Sequence, residues 1–563
     1  MKKYSLRKKA IVALMLSAVM FLMACGGDNN QPTQDNQGQG GGGGGGQVAA
    51  AGDGERVIRI NGSFPLQADP AVGSNAVEAA VFFNIYDPLV FTEIDGTIIP
   101  HVATEWSRSA DGLVYTFTIR EGIRFHDGTY LTAEDVAFSM NRMLAIGQGF
   151  AHLYTAHVEE AVATGSHTVE FRLRQPFGPF VSTLVRMSVL NRNLVMDNLA
   201  EGPFGEYGDF GTTFLLTNSA GSGPFRMTEM RMGESMTAER FEDYWLGFGN
   251  NPPELFQVLA VNDPAMIRTL MSRQELDITD EWQAVASLQM MEEMDGVSVS
   301  NMSTGAVITL QMNTRRAPTD CVYFRRALGY LFDYQTAVTN IYPGTRQAVG
   351  PVAAAFLGHD PDLYQFTFNI DRAREMLSRS IYYGELDQHP IDIERSADVA
   401  DTEALCLLLQ QAAAEVGITL NIRSVSFAGL IANATSIDTT AHITIMYPSG
   451  DFSEAGSVLS MRYHSSTTGT FQQYGWLLDP AIDAAIEASL AELDANRRFE
   501  MYREIQRTII DLKPTIYVLE WPEMRAWQSG LFRWPEAEAA QAGGTNAPIM
   551  GRSIYLRTME FFN

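Results

Sequence analysis

The residues able to do chemistry are few and scattered. The 563-residue chain holds nine histidines and three cysteines, at Cys25, Cys321 and Cys406. None stands in a CxxC or Cys/His pattern with zinc-ligand spacing. His152 and His157 are five apart, which does not place them together on one helical face, so solvated surface is the expected setting and no metal is predicted. Glu292 and Glu293 are adjacent in a helical stretch and point in different directions. HExxH, GxSxG and phosphate-loop patterns are lacking, and the one glycine-rich run follows no strand. No catalytic residue and no cofactor is expected, and the chain reads as a non-enzyme. Cys406 sits in an apolar run and reads as a buried small hydrophobe, with a Cys321–Cys406 disulfide left open.

Charge narrows the partners. The formal net charge is −26; residues 1–24 carry five of the 40 basic side chains and none of the 66 acidic ones, so the remainder stands at −31. Such a body repels the phosphate backbone, which excludes nucleic acid as a partner. Met1–Lys9 is basic and Ala10–Ala24 apolar, the layout of a secretory signal peptide too short for a comfortable span. The segment ends in Leu22-Met23-Ala24-Cys25, which resembles the lipobox of bacterial lipoproteins. That resemblance implies lipidation at Cys25 and an extracytoplasmic protein anchored to the bacterial cell membrane. Residues 25–55 then read as the lipidated cysteine and a glycine-rich tether, including the unbroken run Gly40–Gly46. A polar tract of that composition cannot bury enough apolar surface to fold.

The elements behind the tether are mixed α and β. Val57–Ile60 begins a strand, Tyr115, Phe117 and Ile119 alternate along another, and Val169, Phe171 and Leu173 along a third. Thr132 with Asp135 three residues on forms a capping box, opening a helix with the stripe Val136, Met140, Met143 and Leu144. Thr402–Val416 reads as a helix stopped at Gly417, followed by a strand through Ile418, Leu420 and Ile422. Phe499, Tyr502, Ile505 and Ile509 make a further helical stripe that Lys513-Pro514 ends.

Several separated stretches resemble the family 5 extracellular solute-binding proteins, the peptide- and nickel-binding group. The run from Asp87 to Leu144 carries the most specific match, with Trp106, Asp111, Gly112, Arg120, Gly122, Phe125, Asp127, Gly128 and Ala133–Val136 at matching positions. Gly221–Phe225, Tyr244-Trp245, the segment from Asn313 to Asp333, Asp371–Leu377 and Arg497–Gln506 agree in order. The resemblance implies an α/β fold: a two-lobed, periplasmic-binding-protein-like clamp (type II, cluster C-like) with a small extra α+β domain. By analogy the first lobe takes residues 56–105, 221–312 and 520–563, the extra domain 106–220 and the second lobe 313–519. It further implies capture of peptides in an interlobe cleft by hinge closure, delivery to ABC permease subunits, and a monomer.

In oligopeptide-binding relatives an aspartate of the second lobe meets the ligand's free amine. The matching region here is Met446–Phe452, which makes Asp451 and Tyr447 candidate ligand residues. A loop or helix-cap role for Asp451 stands equally open. Tyr517 and Trp521 lie near the last lobe crossing and are the other candidates, with core burial the alternative for Trp521. Nickel chelate, heme or oligosaccharide as ligand, and a receptor or sensor role without transport, remain open on the sequence.

Overall fold

The structure, a computed structural model, describes residues 54–62, 64, 66–543 and 548–563. The expected signal peptide, Cys25 and all but the end of the tether lie outside the described residues.

Val57–Asn61, buried except at Arg59, is the first strand of a four-stranded sheet and runs parallel to Leu255–Leu259. Ser235–Arg240 and Phe225–Arg231 continue the sheet antiparallel. Against it lies the helix Ala76–Ile85, apolar on every face and buried along nearly its whole length. Asn75 caps that helix and Glu78 closes the capping box. This first lobe carries the N-terminal part of the described chain.

A second four-stranded sheet is wholly antiparallel, in the order Ala103–Arg108, Val114–Ile119, Thr168–Leu173, Val158–Gly165. Tyr115, Phe117 and Ile119 all face inward, as their alternation predicts. The helix Ala133–Ile146 covers this sheet, with Thr132 and Asp135 forming the expected capping box. Gly122 and Gly128, at φ +84° and +87°, supply the left-handed turns of the motif. Arg142, fully buried on the helix, reaches back to Asp69 at 2.5 and 2.7 Å and ties this extra domain to the first lobe.

The family-like stretches meet at one buried carboxylate. Asp87 accepts hydrogen bonds from Tyr244 Oη (2.9 Å), Ser222 Oγ (2.9 Å) and Trp245 Nε1 (3.2 Å), with His101 Nε2 at 2.7 Å. Three segments, around His101, Ser222 and Tyr244-Trp245, thus share one acceptor.

The second lobe is built on a five-stranded sheet, ordered Leu420–Val425, Ile391–Ser396, Ile443–Met446, Met302–Met312, Thr515–Glu523. The first three run parallel, the last two antiparallel to their neighbours. The helix Thr402–Ala414 buries Cys406 against this sheet, and Gly417 at φ +83° ends the turn that follows it. The helix Ala495–Leu512 buries Tyr502, Ile505 and Ile509 and ends at Lys513 in the left-handed region, as the Lys-Pro pair predicts. Cys321 and Cys406 are free thiols. Boundaries at 312/313 and 519/520 fall at the end of one strand of this sheet and inside another, because the hydrogen-bonded ladder carries both strands past those points.

Asp87→Ala should cost about 3–5 kcal/mol, since it strands four buried donors at once. Thermal unfolding followed by circular dichroism should show a melting point lowered by several degrees.

Candidate ligand-binding cleft

Two strands connect the lobes, Met302–Met312 and Thr515–Glu523, and they are hydrogen-bonded to each other along most of their length. Their register shifts between Ser303 and Ala306. Gly305 sits in that irregularity at φ +69°, where a Cβ would stand 2.5 Å from Phe356 and 2.6 Å from Pro548. Only glycine fits such an approach. Beyond the shift the two chains enter the first lobe side by side, where Ser298–Val299 pairs with Ala526–Trp527.

Arg525 locks this crossing. Its Nε donates to Glu523 (2.6 Å), Nη1 to the Thr279 carbonyl (2.8 Å) and Nη2 to Glu281 (2.6 Å). Its backbone exchanges hydrogen bonds with Ser300. Burial disfavours the guanidinium charge, but Glu281 and Glu523 more than offset that and hold its pKa above the usual arginine value. Burial raises the Glu281 carboxyl above its ordinary range; Arg525 pulls it down, and Glu523 and Asp280 push it up again.

Directly over this group lies an open-mouthed cavity of about 140 Å³, mostly apolar in its walls. The first lobe contributes Ala76, Ile94, Ile549 and Met550, and the second lobe Ala306, Tyr447 and Ser449. Three aromatic rings make one side. Tyr447 and Trp521 stand 4.4 Å apart, Trp282 is 5.1 Å from Trp521 and 5.7 Å from Tyr447, and the Trp521 contacts are edge-to-face. On another side Gly551, at φ +83°, presses its backbone against Ala79, where a Cβ would come within 2.5 Å of backbone. The Glu536–Arg552 pair, 2.8 Å apart and buried, completes the polar lining.

Of the four candidate residues, the structure brings Tyr447 and Trp521 together in the cavity wall. Trp521 is half-buried, packed against the second-lobe core on one side and facing the cavity on the other. Tyr517 lies within the second lobe, its hydroxyl 3.0 Å from Tyr463 Oη, outside this lining. Asp451 is also outside it. Its carboxylate pairs with His152 Nε2 at 2.8 Å, and its carbonyl accepts from Arg186 Nε at 2.9 Å. His152, read from sequence as solvated surface, therefore joins the extra domain to the second lobe. Trp282, Glu281, Glu523 and Arg525 were not singled out by sequence. The charged and aromatic residues interleaved in Glu281-Trp282 and Glu520–Arg525 are the local signal that marks them. Among the described residues no three His, Cys, Asp or Glu side chains gather to hold a metal ion, and no helix is long and apolar enough to cross a membrane.

The profile of the bacterial extracellular solute-binding proteins, family 5 (middle region), matches residues 97–470. The chain belongs to this family. Its members are solute-binding proteins rather than enzymes, and the fold is the type II periplasmic-binding architecture. The probable D,D-dipeptide-binding periplasmic protein of Escherichia coli K12 is 27% identical over 471 residues, 81% of this chain and 86% of the relative. A solved structure of the substrate-binding protein CtaP from Listeria monocytogenes superposes with a TM-score of 0.76 at 20% identity, covering 90% of this chain and all of that one. The periplasmic binding protein DppA from Helicobacter pylori, solved with the peptide STSA, gives 0.72 at 18% identity over 90% of this chain and 98% of its own. At these identities the structural likeness establishes the family-5 fold.

The His152–Asp451 contact carries a pH signature. Burial lowers the imidazole pKa, but the Asp451 hydrogen bond and charge outweigh burial and the opposing Arg186, so it stands raised. A histidine raised in the folded state stabilises fully below its unfolded pKa of about 6.5, and the gain is lost as pH rises through the folded value. His152→Asn should therefore unfold at a lower temperature than the parent at pH 5.5, with the gap shrinking by pH 8.5. Paired melting curves across that range check it.

Proposed function

We propose that this protein captures short peptides in the cavity between its lobes and hands them to an ABC permease. The observation that carries the reading is the cavity itself: apolar walls from both lobes, three aromatic rings, and a charged group at one end, set beside the two connecting strands. Closure about two paired strands buries the solute between lobes, and opening releases it. The hinge falls at Ser300–Ser303 and Glu523–Ala526, with the first lobe and extra domain on one side and the second lobe on the other. The dipeptide-binding name of the Escherichia coli relative and the STSA peptide of the Helicobacter pylori protein favour a peptide over the other solutes. Tyr447 and Trp521, with Trp282, act as the wall against which an apolar side chain packs.

Native mass spectrometry of the purified protein should reveal co-purifying peptides of mixed mass, and a single sugar or metal-chelate mass would refute peptide capture. Trp521→Ala removes the ring shared by both neighbours and should weaken retention by about tenfold or more, since a buried aromatic anchor contributes ~2 kcal/mol.

We also propose an extracytoplasmic location with lipidation at Cys25, on the basis of the apolar segment ending in Met23-Ala24-Cys25 and the glycine tract after it. Cys25→Ala should move the protein from the membrane pellet to the soluble fraction of expressing bacteria. Unchanged pelleting would exclude the lipid anchor.

A further inference from the structure

The charges at the inner end of the cavity do not balance. Glu281 and Glu523 bracket a single cation, Arg525, whose side-chain donors are already directed to Glu523, Thr279 and Glu281. Asp280, next in the chain, is held elsewhere: it accepts from Asn61, from the Trp282 amide and from Gln283. Arg552 cannot supply the missing charge, because it is paired with Glu536. Glu523 is only 8% exposed, yet its bonds to Arg525 and Ser553 both go to Oε1, leaving Oε2 without a hydrogen bond among the described residues. Among the described residues Glu281 has Arg525 as its one side-chain hydrogen-bond partner. At least one net negative charge therefore sits at the end of an apolar cavity, where an uncompensated charge is costly.

We propose, resting on the cavity as the ligand's seat, that Glu281 and Glu523 receive a protonated amine of the ligand, whose adjoining apolar group lies against Trp282, Tyr447 and Trp521. A primary ammonium brings the missing unit of charge and three N–H donors for carboxylate oxygens. Trp282, adjacent in sequence to Glu281 and part of the same lining, adds a ring face that favours a cation. A ligand carboxylate is excluded from this end, since it would add a third anion where Arg525 has its forks directed already. Asp451 is not needed for the amine, because its carboxylate already has His152 as a partner, 2.8 Å away, outside the cavity lining. The raised carboxyl of Glu281, produced by burial with Glu523 against Arg525, fits a carboxylate short of a cation. The ligand class is thus a short peptide bound amine-inward, with an aliphatic or aromatic residue at its amino end.

The test uses the full chain, stripped of co-purified solute, with three probes: Phe-Ala, N-acetyl-Phe-Ala and the C-terminal amide of Phe-Ala. Calorimetric titration should show Phe-Ala and its amide binding at least about tenfold more tightly than the acetylated form. Glu281→Gln and Glu523→Gln should each erase that preference by weakening the free-amine probes and leaving the acetylated one unchanged. Equal binding of free and acetylated probes, or glutamine variants that fold normally and keep the preference, would overturn the amine assignment while leaving peptide capture intact. If one variant fails to fold by circular dichroism, the other gives the same readout. If none of the three probes binds, peptide capture is in question instead, and the co-purified solute decides: one with a cationic nitrogen, lost from Glu523→Gln, upholds the assignment, and one without such a nitrogen overturns it.

Discussion

Arg525 holds together the segments on which both the hinge and the cavity depend. Its side chain binds Thr279, Glu281 and Glu523, and its backbone pairs with Ser300. Those contacts join the two strands that pass between lobes to a first-lobe segment that carries a cavity wall. A buried guanidinium is tolerated only with carboxylates and carbonyls around it, so the requirement that fixes the hinge also places acidic groups at the cavity's end. Removing the arginine would leave two buried carboxylates facing each other. The architecture of the crossing and the chemistry of the site are therefore one problem with one solution.

The rest of the fold is arranged to leave that crossing undisturbed. The first lobe closes on Asp87, the extra domain is fastened to it through Arg142 and Asp69, and the second lobe has its own sheet and core. Contacts between the extra domain and the second lobe lie to one side, at His152–Asp451 and at Ser182–Glu454 (3.1 Å). Glu454 is itself held by Arg498 at 2.8 and 3.0 Å, so this contact rests on a rigid helix. Apolar side chains cross here as well: Phe452 is buried in the core shared by the first lobe and the extra domain, and Leu490 packs against it.

How far the sequence could be read follows from the range of each interaction. Tyr115, Phe117 and Ile119, the Thr132–Asp135 box and the Lys513 terminus are decided within a few residues, and all were legible. Tyr447 and Trp521 were named from a resemblance, and the structure puts both in one wall. Trp282 was not, because its one local signal, an adjacent acidic residue, is shared by many surface tryptophans. Asp451 and His152 lie 299 positions apart, and Glu281 and Arg525 lie 244 apart. No local pattern encodes such pairs; they exist only once segments far apart in the chain have packed together. The motif residues converging on Asp87 show the same limit from the other side: their spacing was recognisable, while the shared acceptor that explains it was not.

Because the connecting strands are bonded neighbours rather than separate threads, they bend as a ribbon. A ribbon is softer across its face than within its plane, where sliding would break its hydrogen-bonded ladder, so under the proposed closure the lobes swing rather than slide. A binder limited to one coordinate reports occupancy as a single mechanical variable. Any partner that touches both lobes can gauge that variable from the distance between two surface points, with no need to sense the solute itself.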